Sequence, residues 1–204
     1  MPARITVIYY SSTGNVHSIA EAVARGAESA GAEVRLRRVP ELAPDSVIDT
    51  NPAWRAHIEA TAHIEEATLD DLRWADGYAF GTPTRFGNVA SQLKQYLDTT
   101  GGLWHEGVMV GKAATGFTSS YETHGGQETT LVALYNVMHH WGSIIVPTGY
   151  ADYEVIHAAG GNPYGLSISD SDESAVKYVQ AAAEFHGARF ARVAEALRPL
   201  QAAA

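Results

Sequence analysis

Along the chain, apolar and polar positions alternate between two patterns. Ile5-Thr6-Val7-Ile8-Tyr9-Tyr10 is an apolar run of strand length. Beyond Gly14 the residues Val16, Ile19, Ala20, Val23, Ala24 and Ala27 repeat at three- and four-residue spacing, which predicts a helix. Gly31-Ala32 turns the chain into Glu33 to Val39, an alternating strand stopped by Pro40. Residues 40 to 70 read as a long connection marked by Pro44 and Pro52, with a short helix around Trp54 to Ile58. Thr68 to Trp74 then reads as a short helix and Asp76 to Gly81 as a buried strand. The helix expected over Val89 to Thr100 is amphipathic through Leu93, Tyr96 and Leu97 and stops at Gly101-Gly102, after which Leu103-Trp104 leads a loop. A strand over Lys112 to Phe117, a helix from Gln127 to His140 and a strand over Ser143 to Pro147 follow. Gly149 to Ser169 reads as a long loop, and Asp170 with Glu173 has capping-box spacing before a closing helix from Glu173 to Leu197.

This alternation predicts one α/β domain over residues 1–204, a doubly wound five-stranded parallel sheet with helices on both faces. Such sheets bind ligands beyond the carboxyl ends of their strands, at the switch point. Three strand ends here carry polar loops: Ser11 to Val16, Thr82 to Asn88, and Thr118 to Gly126. In the first, Ser11, Ser12, Thr13, Gly14 and Asn15 lead into a helix whose opening N–H groups and dipole suit a phosphate without any basic side chain. The same residues would also suit a plain turn with an N-cap. The convergence of three such loops favours a site. Neither GxxxxGK[ST] nor GxGxxG fits: the nearest Walker match, Gly107 to Ala113, is one residue short and ends in Ala.

Composition removes several function classes. A length of 204 residues and a net charge of -9, with no basic run, argue against direct nucleic-acid binding. Arg35, Arg37 and Arg38 read as a solvated strand edge. The absence of Cys excludes disulfides, thiolate metal sites and a Cys nucleophile, so redox chemistry would need a bound cofactor. His57 and His63 lack helical metal-pair spacing and read as solvent-exposed, and no metal site is expected. Met1-Pro2-Ala3-Arg4 runs straight into the first strand and no apolar run reaches the roughly 20 residues of a membrane span. A cytoplasmic protein without membrane insertion is therefore expected.

Together the loops resemble those of the WrbA-type flavodoxin-like NAD(P)H:quinone oxidoreductases, over most of the chain. The resemblance is carried by Phe80-Gly81-Thr82-Pro83-Thr84-Arg85-Phe86-Gly87-Asn88, Thr100-Gly101-Gly102-Leu103-Trp104, Gly125-Gly126-Gln127-Glu128, His139-His140-Trp141-Gly142, and Gly160-Gly161-Asn162-Pro163-Tyr164-Gly165. It implies a flavodoxin-like fold and FMN as cofactor, held at the phosphate by Ser11, Ser12, Thr13, Gly14, Asn15 and Val16. Thr84, Arg85 and Phe86 would border the isoalloxazine, and Thr118, Ser119, Ser120, Tyr121, Gly125 and Gly126 would close over the flavin and ribityl chain. The flavin-side histidine matches His140, with His139 as the register alternative, and Trp104 matches the substrate mouth. Three departures stand out. Val16 replaces the usual Thr, Thr13 stands where several relatives carry Tyr, and the Thr118 to Gly126 loop is longer than usual, with Tyr121, Glu122 and His124 as additions.

The chemistry implied is two-electron reduction of a quinone by NADH or NADPH. Trp104 and His140 would act at the reacting centre, and Phe86, Trp104 and Tyr150 would be flat walls for both planar ligands. Relatives assemble as tetramers, so a homotetramer is expected. Two other classes share the fold. A one-electron flavodoxin-type carrier, which the acidic charge suits, would show half-reduced flavin prominently on stepwise reduction. A regulatory binding protein would capture its partner independently of flavin.

Overall fold

Residues 1–201 are described by the computed structural model. Strand β1 (Arg4–Tyr9) leads to helix α1 (Asn15–Ser29) and strand β2 (Glu33–Arg38). The connection to β3 (Gly77–Arg85) contains α2 (Asp45–Ile48), α3 (Pro52–Ala60) and α4 (Leu69–Trp74). After β3 come β4 (Asn88–Val89), α5 (Ser91–Asp98), α6 (Gly101–His105), β5 (Ala113–Ser120), α7 (Gln127–His140) and β6 (Ile144–Ile145). The chain closes with α8 (Tyr153–Ala158), β7 (Leu166–Ser169), α9 (Glu173–Val176) and α10 (Val179–Gln201).

The parallel sheet has the order β2-β1-β3-β5-β6. With its strands counted in sequence this is the 2-1-3-4-5 order of flavodoxin-like sheets, with the switch point between β1 and β3. Five strands were expected, and seven form among the described residues. The supposed loop from Gly149 to Ser169 contains α8 and β7, and β7 pairs in parallel with the second half of β5, from Phe117↔Leu166 to Ser120↔Ser169. β3 runs four residues past Gly81 because its register with β5 continues through Thr82↔Thr118 and Pro83↔Ser119. Gly101-Gly102 does not end the helical stretch, since buried Leu103 anchors α6 in the core. The closing helix is broken between α9 and α10, and its start is capped by Asp172, whose carboxylate accepts from Ala175 N–H at 3.1 Å, rather than by Asp170.

Both faces of the sheet are covered. Ile5, Val7, Phe117 and Phe190 belong to the core under α1 and α10, while Ile8, Tyr78, Phe80, Leu93, Leu134 and Trp141 belong to the core under α5 and α7. The first face depends on glycine. A Cβ on Gly26 of α1 would lie 2.0 Å from the Glu184 carbonyl oxygen of α10, and one on Gly187 of α10 would lie 2.1 Å from the Val23 carbonyl oxygen of α1.

The same helix buries His186, 1% exposed, between Phe190 and β5. Its Nε2 shares a 2.8 Å hydrogen bond with Thr115 Oγ1, while Nδ1 has no partner among the described residues. Burial, with a smaller contribution from Arg189, pushes its pKa down from 6.5 to about 4. The unfolded chain therefore binds this proton more readily than the folded one, so the associated stability is complete above pH 6.5 and is lost as pH falls toward 4. Urea unfolding should show wild type losing roughly 2 kcal/mol more than His186→Gln when pH is lowered from about 7.5 to about 5. Parallel pH profiles for the two proteins would exclude His186 as the titrating group.

Candidate functional site

At the carboxyl end of β1 the chain makes an uncharged cup. Gly14 takes φ 109°, a backbone conformation that L-residues avoid, and so turns the loop into α1. Its N–H donates to Ser11 Oγ at 3.0 Å and its carbonyl accepts from Ser18 N–H at 2.9 Å. Among the described residues, the N–H groups of Ser12, Thr13, Asn15 and Val16 have no protein acceptor. Val16 contributes only its backbone, because its side chain is buried in the core. A cleft of about 320 Å³ opens onto the cup, lined by Ser11, Ser12, Thr13, Asn15 and Val16 and, across it, by Pro83, Thr84, Arg85, Ser119, Ser120, Tyr121 and Asp170.

The far wall comes from β3 and β5. Thr84 Oγ1 ties them to the next loop: it donates to the Gly125 carbonyl at 3.3 Å and accepts from Thr130 Oγ1 at 2.7 Å. Arg85 is exposed and folds back over the cup, donating to the Thr84 carbonyl at 3.0 Å and reaching Ser12 Oγ at 3.5 Å. β3 and β4 pair as a hairpin through Thr84↔Val89 and Arg85↔Asn88, so Phe86 and Gly87 are its two-residue turn. Both have positive φ, 53° and 75°, as in a type I′ turn. Phe86 is the only non-glycine residue with positive φ among those described, and the residue is fully exposed. The conformation costs an aromatic residue roughly 1–3 kcal/mol. Packing holds it, since a Cβ on Gly126 would lie 2.9 Å from Gly87 Cα.

Most of the expected FMN contacts therefore meet at one cleft. Thr118 is present but fully buried in β5, donating to the Thr82 carbonyl at 2.7 Å, and Gly125 and Gly126 support the wall from behind. Trp104 and His140 meet each other elsewhere. Trp104 Nε1 donates to the His140 carbonyl at 2.9 Å. Both lie by the start of β5, since α7 runs back from Gln127 and its end is fixed there by Gly111 N–H to the Gly142 carbonyl, 3.0 Å. The 14 residues of α7 place this pair roughly 20 Å from the cup within one chain. Tyr150 stands outside the cleft as well, with its ring 6.0 Å from Tyr153. Two lining residues were not foreseen. Pro83 belongs to β3 rather than to a loop, and Asp170, instead of capping the closing helix, accepts two 2.8 Å hydrogen bonds from Asn15 Nδ2, linking the end of β7 to the cup.

The connection after β2 is fastened beside the cup. The Glu41 carboxylate accepts from Tyr10 OH at 2.7 Å, Trp54 Nε1 at 3.0 Å and Gln92 Nε2 at 2.6 Å. Burial alone would raise its pKa, but the bonds from the Ala43 N–H, Tyr10, Gln92 and the Leu42 N–H hold it below the usual carboxylate value. His57, expected to be exposed, is half-buried against His17, with ring centroids 5.4 Å apart. α3 has folded against the loop, which no pattern in residues 40–66 encodes. The Arg35, Arg37 and Arg38 trio does lie on the edge strand, where Asp71 pairs with the first two at 3.1 and 3.2 Å and Glu66 with the third at 3.1 Å.

Free N–H groups, three hydroxyls and a glycine bend form a donor set that fits a phosphate monoester, and the cleft is of small-ligand size. A switch-point cup on this sheet defines a mononucleotide-binding protein of the flavodoxin-like class. The family described as NADPH-dependent FMN reductase matches residues 3–154, and the chain belongs to that family. It is 47% identical over 168 residues to a protein of Deinococcus radiodurans named NAD(P)H dehydrogenase (quinone), covering 82% of this chain and 84% of that one. A protein of Aromatoleum aromaticum with the same name is 42% identical over 201 residues, covering 95% and 97%. Among solved structures, a flavodoxin described as WrbA-like, from Agrobacterium tumefaciens, superposes with a TM-score of 0.68 at 26% identity, covering 96% of this chain and 99% of that one. An archaeal flavodoxin at 18% identity, with a TM-score of 0.61 and coverage of 94% and 99%, shares the fold.

Proposed function

We propose that the protein is an FMN-dependent NAD(P)H:quinone oxidoreductase of the cytoplasm. The observation that carries this reading is the cup of unpartnered N–H groups at Ser12, Thr13, Asn15 and Val16, facing a cleft walled by Thr84, Arg85 and Ser120. The names of the relatives at 42–47% identity support it. FMN held in the cup would supply hydride acceptance at N5 and delivery of the electron pair to a quinone. The chain supplies position and charge. Ser11 to Val16 hold the phosphate. Arg85, the one cation lining the cleft among the described residues, would offset negative charge that develops on the reduced flavin. Phe86, exposed at the hairpin turn beside Arg85 though outside the cleft lining, would present a flat apolar face to a planar ligand, whereas Tyr150 stands away from this cleft and has no such role within one chain.

Trp104 and His140 require a second copy. Their pair lies too far from the cup of its own chain, so in the proposed homotetramer it closes the site of another subunit, with His140 donating a hydrogen bond or proton to the quinone oxygen. The outer face of α7 favours such an assembly: exposed Val132, with Ala133, Tyr164 and Phe86, lines an open groove of about 560 Å³. Light scattering of the FMN-loaded protein should find the tetramer. A monomer at working concentration would remove Trp104 and His140 from the reaction.

The function is tested by the visible spectrum. Protein given FMN should turn yellow, bleach anaerobically with NADH or NADPH, and regain its colour with benzoquinone. If both nucleotides leave the bound flavin oxidised, the assignment is wrong. Trp104→Ala should slow the recolouring by roughly tenfold and leave FMN retention intact; equal loss of both would make Trp104 a structural residue.

A further inference from the structure

On the other side of Ser11 from the FMN cleft lies a second cluster of ionisable groups that quinone reduction does not use. α3 brings His57 against the phosphate loop, its Nδ1 3.6 Å from where a Cβ on Gly14 would lie. His17, in the first turn of α1, has its ring 5.4 Å from that of His57, its Nδ1 2.8 Å from Tyr9 OH and its Nε2 3.4 Å from Glu21 Oε1. A cavity of about 40 Å³, large enough for one water, separates His57 and Thr61 from the ends of β1 and β2. This is no loose surface contact, because the connection carrying α3 is pinned through Glu41 to Tyr10, Trp54 and Gln92.

The charges around the two rings favour one proton and resist two. Glu21 of α1 faces His17, and Glu41 lines the small cavity beside His57. Against them stand Arg38 of β2 in the same cavity, His63 of the same connection, and each imidazole toward the other. Tyr9 and Tyr10 stay neutral, since burial first and acidic neighbours next raise both phenols. Burial also lowers both histidines, further lowered by His63 at His17 and by His17 at His57, and only partly offset by Glu21. At neutral pH the pair is therefore poised as two uncharged rings directly behind a loop whose ligand brings nearly two negative charges.

We infer that His17 and His57 form a proton-accepting pair that reads the charge of the bound phosphate: a dianion in the cup draws one proton from solvent onto the pair, and FMN is thereby retained over unphosphorylated flavin. This rests on the reading of the cup as an FMN phosphate site. No covalent bond is made or broken; the proton taken onto the pair offsets part of the phosphate charge that the N–H groups leave uncompensated. Linkage fixes the sign. Phosphate raises the affinity of the pair for a proton, so FMN affinity rises as pH falls toward the value of the free pair. The second ionisation of a phosphate monoester, near pH 6, acts in the opposite sense, and comparison at about pH 6.5 and above keeps its effect small.

Calorimetric titration of the FMN-free full-length chain with FMN and with riboflavin tests this, run in two buffers of different protonation enthalpy. FMN should take up a substantial fraction of one proton and bind roughly tenfold tighter at about pH 6.5 than at about pH 8, while riboflavin takes up none. His57→Gln should abolish the uptake, weaken FMN about fivefold and leave riboflavin affinity unchanged, which also shows that the variant is folded. His17→Gln should abolish the uptake too. FMN binding without uptake, uptake persisting in both variants, or equal weakening of both flavins by His57→Gln would overturn the inference and leave the cup standing. Failure of FMN to bind the wild-type chain would instead remove the cup, and this inference with it.

Discussion

Gly187→Ala should lower the free energy of unfolding by about 3 kcal/mol, although alanine is the better helix former by about 1 kcal/mol. The inversion of sign comes from the crossing of α1 and α10. The new Cβ would stand 2.1 Å from the Val23 carbonyl oxygen, and Gly26 opposes Glu184 at 2.0 Å in the same way. Both obstacles are backbone atoms inside a helix, so no side-chain rotation relieves them. The helices must separate, and separation unpacks the Ala182, Ala183, Ala191 and Ala194 face from the sheet. Gly26→Ala should cost a similar amount, and the double variant less than the sum, because the first substitution has already opened the crossing. Chemical denaturation of the three variants measures this. A stabilised Gly187→Ala would mean that the two helices are not in backbone contact.

Gly14→Val should weaken FMN binding by roughly 100-fold while leaving riboflavin affinity nearly unchanged. The position has room, since the nearest atom to a new Cβ is His57 Nδ1 at 3.6 Å, so the defect is one of conformation rather than crowding. At φ 109° a β-branched residue is strained by about 1–3 kcal/mol, and the loop relieves the strain by turning its N–H groups out of the cup. Loss of two hydrogen bonds to a charged phosphate, each contributing about 1.5–3 kcal/mol, accounts for the expected weakening. Fluorescence quenching on titration with each flavin separates the outcomes. If both flavins weaken alike, the loop is holding the ring rather than the phosphate.

The unit from Ile5 to Ala27 was legible because its apolar period changes from that of a buried strand to that of a helix at a glycine, and the structure agrees closely. The loops at the ends of β3 and β5 were legible as a site and not as structure. Thr82 to Arg85 and Thr118 to Ser120 are small or polar residues with weak strand preference, and cross-strand register makes them strand. β7 was missed for a related reason. Leu166 and Ile168 alternate over four residues only, beneath a glycine-rich stretch, and their strand state depends on β5. Asp170 was invisible as a lining residue while β7 was, because only β7 brings it to Asn15. The Gly101-Gly102 stop signal failed because burial of Leu103 outweighs it. The closeness of His57 to His17 is a tertiary contact across 40 residues, and no local pattern announces it.

The two flanks of the sheet decide how copies of this molecule can meet. On one flank β2 presents three arginines already paired with acids, and its carboxyl end is covered by the bridge from Arg38 to Glu66. On the other flank the outermost position is divided between β6, two residues long, and β7, four residues long, with α8 interposed. Among the described residues, the open backbone is limited to residues 33–37 of β2, guarded by the paired arginines, and to short pieces on the other flank. Lateral β-polymerisation is thereby disfavoured, and self-association is steered to helices and loop tips, whose contacts are finite and able to close into a symmetric particle.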